Sequence, residues 1–176
     1  SILEDEEKAA EAFEKALVST PPVSQHFKLG LAYFSLKRYE EAIHELSMSV
    51  NSLEPHPITM RIKLGVAYLR LNRYDECIEI LSDAIRLNAD VCARYYNAYF
   101  FLGLAYHSLG KLDDAILAYR KSIETRPEVS FSYINLGAVY LALGDKKMAA
   151  QQYRSLKLVD AEAAKAMRDY LKIPEE

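Results

Sequence analysis

Four glycines sit in near-identical surroundings: Lys28-Leu29-Gly30-Leu31-Ala32-Tyr33, Lys63-Leu64-Gly65-Val66-Ala67-Tyr68, Phe101-Leu102-Gly103-Leu104-Ala105-Tyr106 and Asn135-Leu136-Gly137-Ala138-Val139-Tyr140. Successive members are 35, 38 and 34 residues apart. A period of this size marks a row of small supersecondary units, each too thin to bury its own apolar faces and therefore stacked on its neighbours. The other two glycines, Gly110 and Gly144, each follow one of these by seven residues, and Asn72 and Lys37 take the matching places in the earlier units. Every glycine in the chain therefore belongs to the repeat.

Each unit reads as a helical hairpin. Leu29, Tyr33 and Leu36 recur at helical spacing, and a turn follows near Lys37-Arg38, Asn72-Arg73, Gly110-Lys111 or Gly144-Asp145. Gly or Asn there suits the left-handed conformation that ends a helix, whereas Lys37 adopts it at a cost. A second apolar series follows: Ala42/Leu46, Cys77/Leu81/Ala84, Ala115/Tyr119/Ser122 and Ala149/Tyr153/Leu156. Pro55, Pro57 and Pro127 are expected to close units, where no amide donor is needed. Gly inside a helix costs about 1 kcal/mol relative to Ala, so its return four times in register implies close helix crossings. Ala42, Cys77, Ala115 and Ala149 are the expected facing surface, with Tyr33, Tyr68, Tyr106 and Tyr140 filling the space beside them.

These residues resemble the tetratricopeptide (TPR) repeat, a 34-residue unit with the pattern W-x2-L-G-x2-Y, A-x3-F and a closing Pro. The Trp slot holds His26, Arg61, Tyr99 and Tyr133. The resemblance implies an all-α, right-handed superhelical α-solenoid of helix-turn-helix hairpins. Its units are a partial repeat over 1–22, repeats over 23–57, 58–91, 92–129 and 130–158, and a capping helix with tail over 159–176. The partial repeat rests on Ala9, Phe13, Ala16 and Pro21. The 38-residue spacing places an insertion around Asp90–Tyr96, with Asp90 a candidate N-cap for a lengthened helix running to Ser108. Ala163, Met167, Tyr170 and Leu171 mark the capping helix.

Composition closes off other classes. Lys+Arg number 22 against 25 Asp+Glu, a formal net charge of −3, which lacks the basic excess of a nucleic-acid binder. No apolar run reaches the roughly 18–20 residues of a membrane span, so direct membrane insertion is not expected. The acidic start, Ser1-Ile2-Leu3-Glu4-Asp5-Glu6-Glu7, has no apolar leader and reads as the edge of a longer chain; a cytoplasmic setting is the expectation. Cys77 and Cys92 would stand roughly 20 Å apart along helix, too far for a disulfide. His26, His44, His56 and His107 form no ligand pair, and no Gly-rich phosphate loop or activated nucleophile occurs. Catalysis, metal and cofactor are therefore not expected.

In the resembled family the first helix of each hairpin lines a concave groove that holds partner segments. The matching positions are Phe27, Lys28, Leu31 and Phe34, then Ile62, Lys63, Val66 and Arg70. The third repeat supplies Asn97, Phe100, Phe101, Leu104 and His107, and the fourth Ile134 and Asn135, with Phe131 in the same inward register. This surface is apolar and aromatic with a basic fringe, suited to an apolar protein or peptide segment with acidic flanks. The slots used by chaperone carboxylate clamps hold Phe27, Leu31, Lys63, Asn97 and Phe101, and none matches. The expectation is an adaptor or assembly scaffold. Alternatives are a regulatory or targeting region of a larger enzyme and a scaffold that self-assembles through an open repeat end, with Tyr95, Tyr96 and Tyr99 as a second contact surface.

Overall fold

A computed structural model describes Glu7, Lys8, Glu11 and residues 23–50, 57–96 and 98–172. The expected partial repeat (Ala9, Phe13, Ala16 and Pro21), Pro55 and Asn97 lie outside the described residues. Among them the secondary structure is helical throughout: α1 (Val23–Ser35), α2 (Tyr39–Ser49), α3 (Pro57–Arg70), α4 (Tyr74–Leu87), α5 (Ala89–Tyr96), α6 (Ala98–Ser108), α7 (Leu112–Thr125), α8 (Ser130–Ala142), α9 (Lys146–Val159) and α10 (Ala161–Leu171). The chain divides into two compact units, 1–92 and 93–176. In unit 1, α1 pairs with α2 and α3 with α4, and α2 packs on α3; in unit 2, α6 pairs with α7 and α8 with α9, α7 packs on α8, and α10 lies against α8 and α9. This is the all-α hairpin solenoid that the repeat predicts.

The turns follow from the residues placed in them. Lys37 and Asn72 have φ of 61°, Gly110 71° and Gly144 77°, so all four hairpins end their first helix in the left-handed conformation. In each, the amide after the left-handed residue donates to the carbonyl of the repeat tyrosine: Arg38 to Tyr33, Arg73 to Tyr68, Lys111 to Tyr106 and Asp145 to Tyr140. The Arg38 and Arg73 guanidinium groups then lie over the same tyrosine rings, 4.4 and 4.7 Å from their centroids.

Three local expectations are corrected. Pro57 opens α3 rather than closing a unit, which suits a residue without an amide hydrogen at a first helical position. Asp90 is not the cap: Asn88 Oδ1 accepts the Val91 amide at 3.0 Å where α5 begins, and Asp90 stands in the first turn of that helix. The glycine notches do not face Ala42, Cys77, Ala115 and Ala149. A Cβ on Gly30 would meet Leu46, on Gly65 Leu81, and on Gly103 Tyr119, each one turn further along the second helix. At Gly137 the filler comes from another helix altogether, the Met167 methyl of α10.

Each unit buries apolar clusters that a shared half-buried side chain joins, Phe34 in unit 1 and Ile123 in unit 2. Leu29, Tyr33 and Ala42 form one cluster of unit 1, and Ile43, Leu46, Leu64 and Ala67 the next. In unit 2, Ala115, Tyr119, Leu136, Val139, Tyr140 and Ala149 form one cluster, and Tyr133, Leu156, Ala164 and Met167 another. The capping helix starts at Asp160, whose carboxylate accepts from the Ala163 amide and the Ser130 hydroxyl, both at 2.9 Å. Those bonds, the Ala163 amide first, hold the Asp160 carboxyl below its ordinary range. Ala164 and Met167 are the residues α10 buries, whereas Tyr170 is 78% exposed.

Candidate protein-binding faces

The first helices of unit 1 present Lys28 and Arg70 exposed and Phe27, Leu31, Phe34 and Lys63 half-buried. Phe34 packs edge-on against Tyr39, ring centroids 5.6 Å apart, and the Lys63 ammonium stands 4.7 Å above the Phe34 ring centroid. Ile62 and Val66, expected to line the groove, are only 3% and 6% exposed; they are core residues and offer a partner almost no surface. His26, in the expected Trp slot, bonds through Nδ1 to the buried Glu45 carboxylate at 2.7 Å, which accounts for a charge that would otherwise be costly to bury.

In unit 2 the equivalent face is aromatic. Phe100, Phe101, Leu104, His107, Ile134 and Asn135 are all half-buried on α6 and α8. Phe100 packs against Phe101 (centroids 5.4 Å), Tyr119 (6.2 Å) and Phe131 (6.5 Å). Leu104 and Phe100 also pack on the core cluster around Tyr119, and Ile134 on that around Met167, so these three act largely as core. Asn135 donates from Nδ2 to the Phe131 carbonyl at 2.8 Å. Phe131, which the inward register contains but which carries no special signal in the sequence, is 66% exposed and is the most accessible aromatic ring on this face.

Other expected features are placed as follows. Tyr99 lines a cavity of about 250 Å3 in unit 2 together with Leu102, Tyr106 and Leu117, the last 65% exposed; the side chains of Tyr95 and Tyr96 are outside the described residues. Burial first, then the nearby Asp114 carboxylate, raises the Tyr106 phenol. Cys77 and Cys92 are unpaired and buried, and burial pushes their thiols up to about 12 and about 11, which leaves both protonated and unreactive at neutral pH. Among the described residues no group of three His, Cys, Asp or Glu side chains stands together as a metal site would require, and no helix is long and apolar enough to cross a membrane.

Comparison with known proteins agrees with the repeat fold. Tetratricopeptide repeat models match residues 62–130 and 132–162, and a model of anaphase-promoting complex, cyclosome, subunit 3 matches residues 4–84. No curated protein matches. Among solved structures, a crystal structure of MamA superposes with a TM-score of 0.81 at 30% identity, covering 92% of each chain. MamA 41-end from Desulfovibrio magneticus RS-1 superposes with a TM-score of 0.77 at 22% identity, over 89% of this chain and 86% of that one. MamA MSR-1 gives 0.77 at 21% identity, over 91% and 90%. The last two likenesses concern the fold alone.

Proposed function

The chain belongs to the tetratricopeptide repeat family and is a protein–protein interaction module; from that premise we propose that partner segments lie along the faces of the first helices, α1 and α3 in unit 1 and α6 and α8 in unit 2. The observation that carries this reading is the Phe100, Phe101 and Phe131 group. Three phenylalanines share one face, and the outermost remains 66% exposed. Large rings of this kind supply binding energy when a partner covers them, at about 25 cal/mol per Å2 of apolar area before ordering costs are subtracted. The module acts as an adaptor or assembly scaffold and carries no chemistry of its own. Its alternative as part of a larger enzyme finds no specific support in the site.

Phe101 and Phe131 lie outside the buried clusters, so Phe101→Glu with Phe131→Glu tests the reading without emptying the core. Leu104 is unsuitable, because it packs on the Tyr119 cluster. Quantitative pulldown with the full chain should lose its retained proteins in the double variant, with helical circular dichroism unchanged. Retention at the wild-type level by a folded double variant overturns the assignment.

A further inference from the structure

Resting on that reading, we propose that the first-helix face of unit 1 takes an acidic stretch of the partner protein, its carboxylates set against Lys28, Lys63 and Arg70. Charge in unit 1 is sorted by helix. α1 and α3 carry Lys28, Arg61, Lys63 and Arg70 and not one Asp or Glu. α2 and α4 carry Glu40, Glu41, Glu45, Asp75, Glu76, Glu79 and Asp83 against Arg86 alone. An ordinary solvated surface intersperses the two signs and pairs them locally. The turn cations behave that way: Arg38 binds Glu41 at 2.9 Å and Arg73 binds Glu76 at 2.9 Å. Among the described residues Lys28, Lys63 and Arg70 have no such carboxylate, and Lys63 rests over the Phe34 ring instead.

The register sharpens the point. Lys28 and Lys63 occupy the same repeat position, two residues before Gly30 and Gly65, and therefore form successive rungs on neighbouring first helices. Unit 2 is an internal contrast: Phe101 and Asn135 fill that position, and α6 and α8 hold no Asp, Glu, Lys or Arg. The two faces share one backbone plan and differ in charge, so the acidic preference belongs to unit 1. A fitting segment presents two or three carboxylates beside an apolar residue that meets Leu31 and Phe34. It is an internal stretch rather than a chain terminus, because Phe27 and Leu31 stand where a terminal-carboxylate clamp needs polar donors.

The test uses fluorescence anisotropy on the full chain with a short labelled peptide of alternating Glu and Leu, amidated at its C-terminus, and its counterpart with Gln for every Glu. Exposed charge pairs are individually modest, so three together should favour the acidic peptide by about tenfold at low salt, an advantage that shrinks as salt screens it. Lys28→Gln with Lys63→Met and Arg70→Gln should abolish the advantage; Met keeps the apolar stem over Phe34 and so preserves packing. Equal affinities for the two peptides, or an advantage retained by the triple variant, overturns the proposal. If the Gln peptide binds as well and Phe101→Glu with Phe131→Glu still abolishes partner retention, the groove reading survives and only the charge assignment falls. If changing Glu4, Asp5, Glu6 and Glu7 to their amides tightens binding of the acidic peptide severalfold, the face is occupied by the chain's own acidic start, and the partner assignment falls.

Discussion

Adding one methyl group at Gly103 should destabilise unit 2, although the same change at Gly137 should not. A Cβ on Gly103 would stand 2.6 Å from both Cδ1 and Cε1 of Tyr119 and 3.1 Å from its Cγ. Carbon atoms prefer about 3.5–4.0 Å, so the ring would have to retreat by about 1 Å. Tyr119 is fully buried and has nowhere to retreat. Overpacking of that kind costs about 1–3 kcal/mol. Ala is a better helix former than Gly by about 1 kcal/mol. A contact at 2.6 Å with a fully buried ring belongs in the upper half of that range, about 2–3 kcal/mol, so Gly103→Ala should lower stability by about 1–2 kcal/mol net. At Gly137 the atom met first is the end of the unbranched Met167 side chain, and Leu171 follows at 3.4 Å. A flexible methionine can swing away, so Gly137→Ala should be neutral or up to about 1 kcal/mol stabilising. Urea unfolding followed by circular dichroism reads both variants. A double-mutant cycle isolates the contact: in a Tyr119→Ala background, Gly103→Ala should become stabilising by about 1 kcal/mol, because only the helix preference remains. If Gly103→Ala is as stable as the parent, or Gly137→Ala is the more damaging change, close packing is not the reason for the repeated glycine.

Three further outcomes follow from the same structure. Lys37 holds φ 61°, a conformation that carries a penalty for any residue with a Cβ, so Lys37→Gly should stabilise by about 0.5–1 kcal/mol in urea titrations. The Tyr119 hydroxyl is buried with no hydrogen-bond partner among the described residues, so Tyr119→Phe should raise stability by about 1 kcal/mol, read by the same assay. Asp160 has its carboxyl lowered from 3.8 by the Ala163 amide and the Ser130 hydroxyl. Its stabilising effect is therefore fully present above pH 3.8 and is lost as pH falls through the lower, folded value; Asp160→Asn should flatten acid unfolding in that window.

Much of the architecture was legible because its determinants are local. A left-handed turn wants Gly or Asn, a close crossing wants Gly, and a fixed period of about 34 residues repeats both demands. Gly110, Gly144 and Asn72 announce three hairpin turns outright, and Lys37 was found only through its register with them. The proposed binding faces were half legible. Phe100, Phe101 and Lys28 could be placed on first helices, yet Ile62 and Val66 proved to be core while Phe131 proved to be the open ring. Helical register places residues on a side of a helix, but depth depends on how neighbouring helices tilt and rotate against it.

The order of hairpins, the turn positions and the sorting of charge between first and second helices in unit 1 are written along the chain, since each depends on residues a few positions apart. Tertiary packing alone decided which atoms fill each glycine notch. Leu46, Leu81 and Tyr119 reach across from the partner helix one turn beyond the small residues, and Met167 arrives from α10, thirty residues past Gly137. Such choices answer to the shape of the whole cavity rather than to any spacing, because a notch accepts whichever side chain the summed contacts of its helices bring over it.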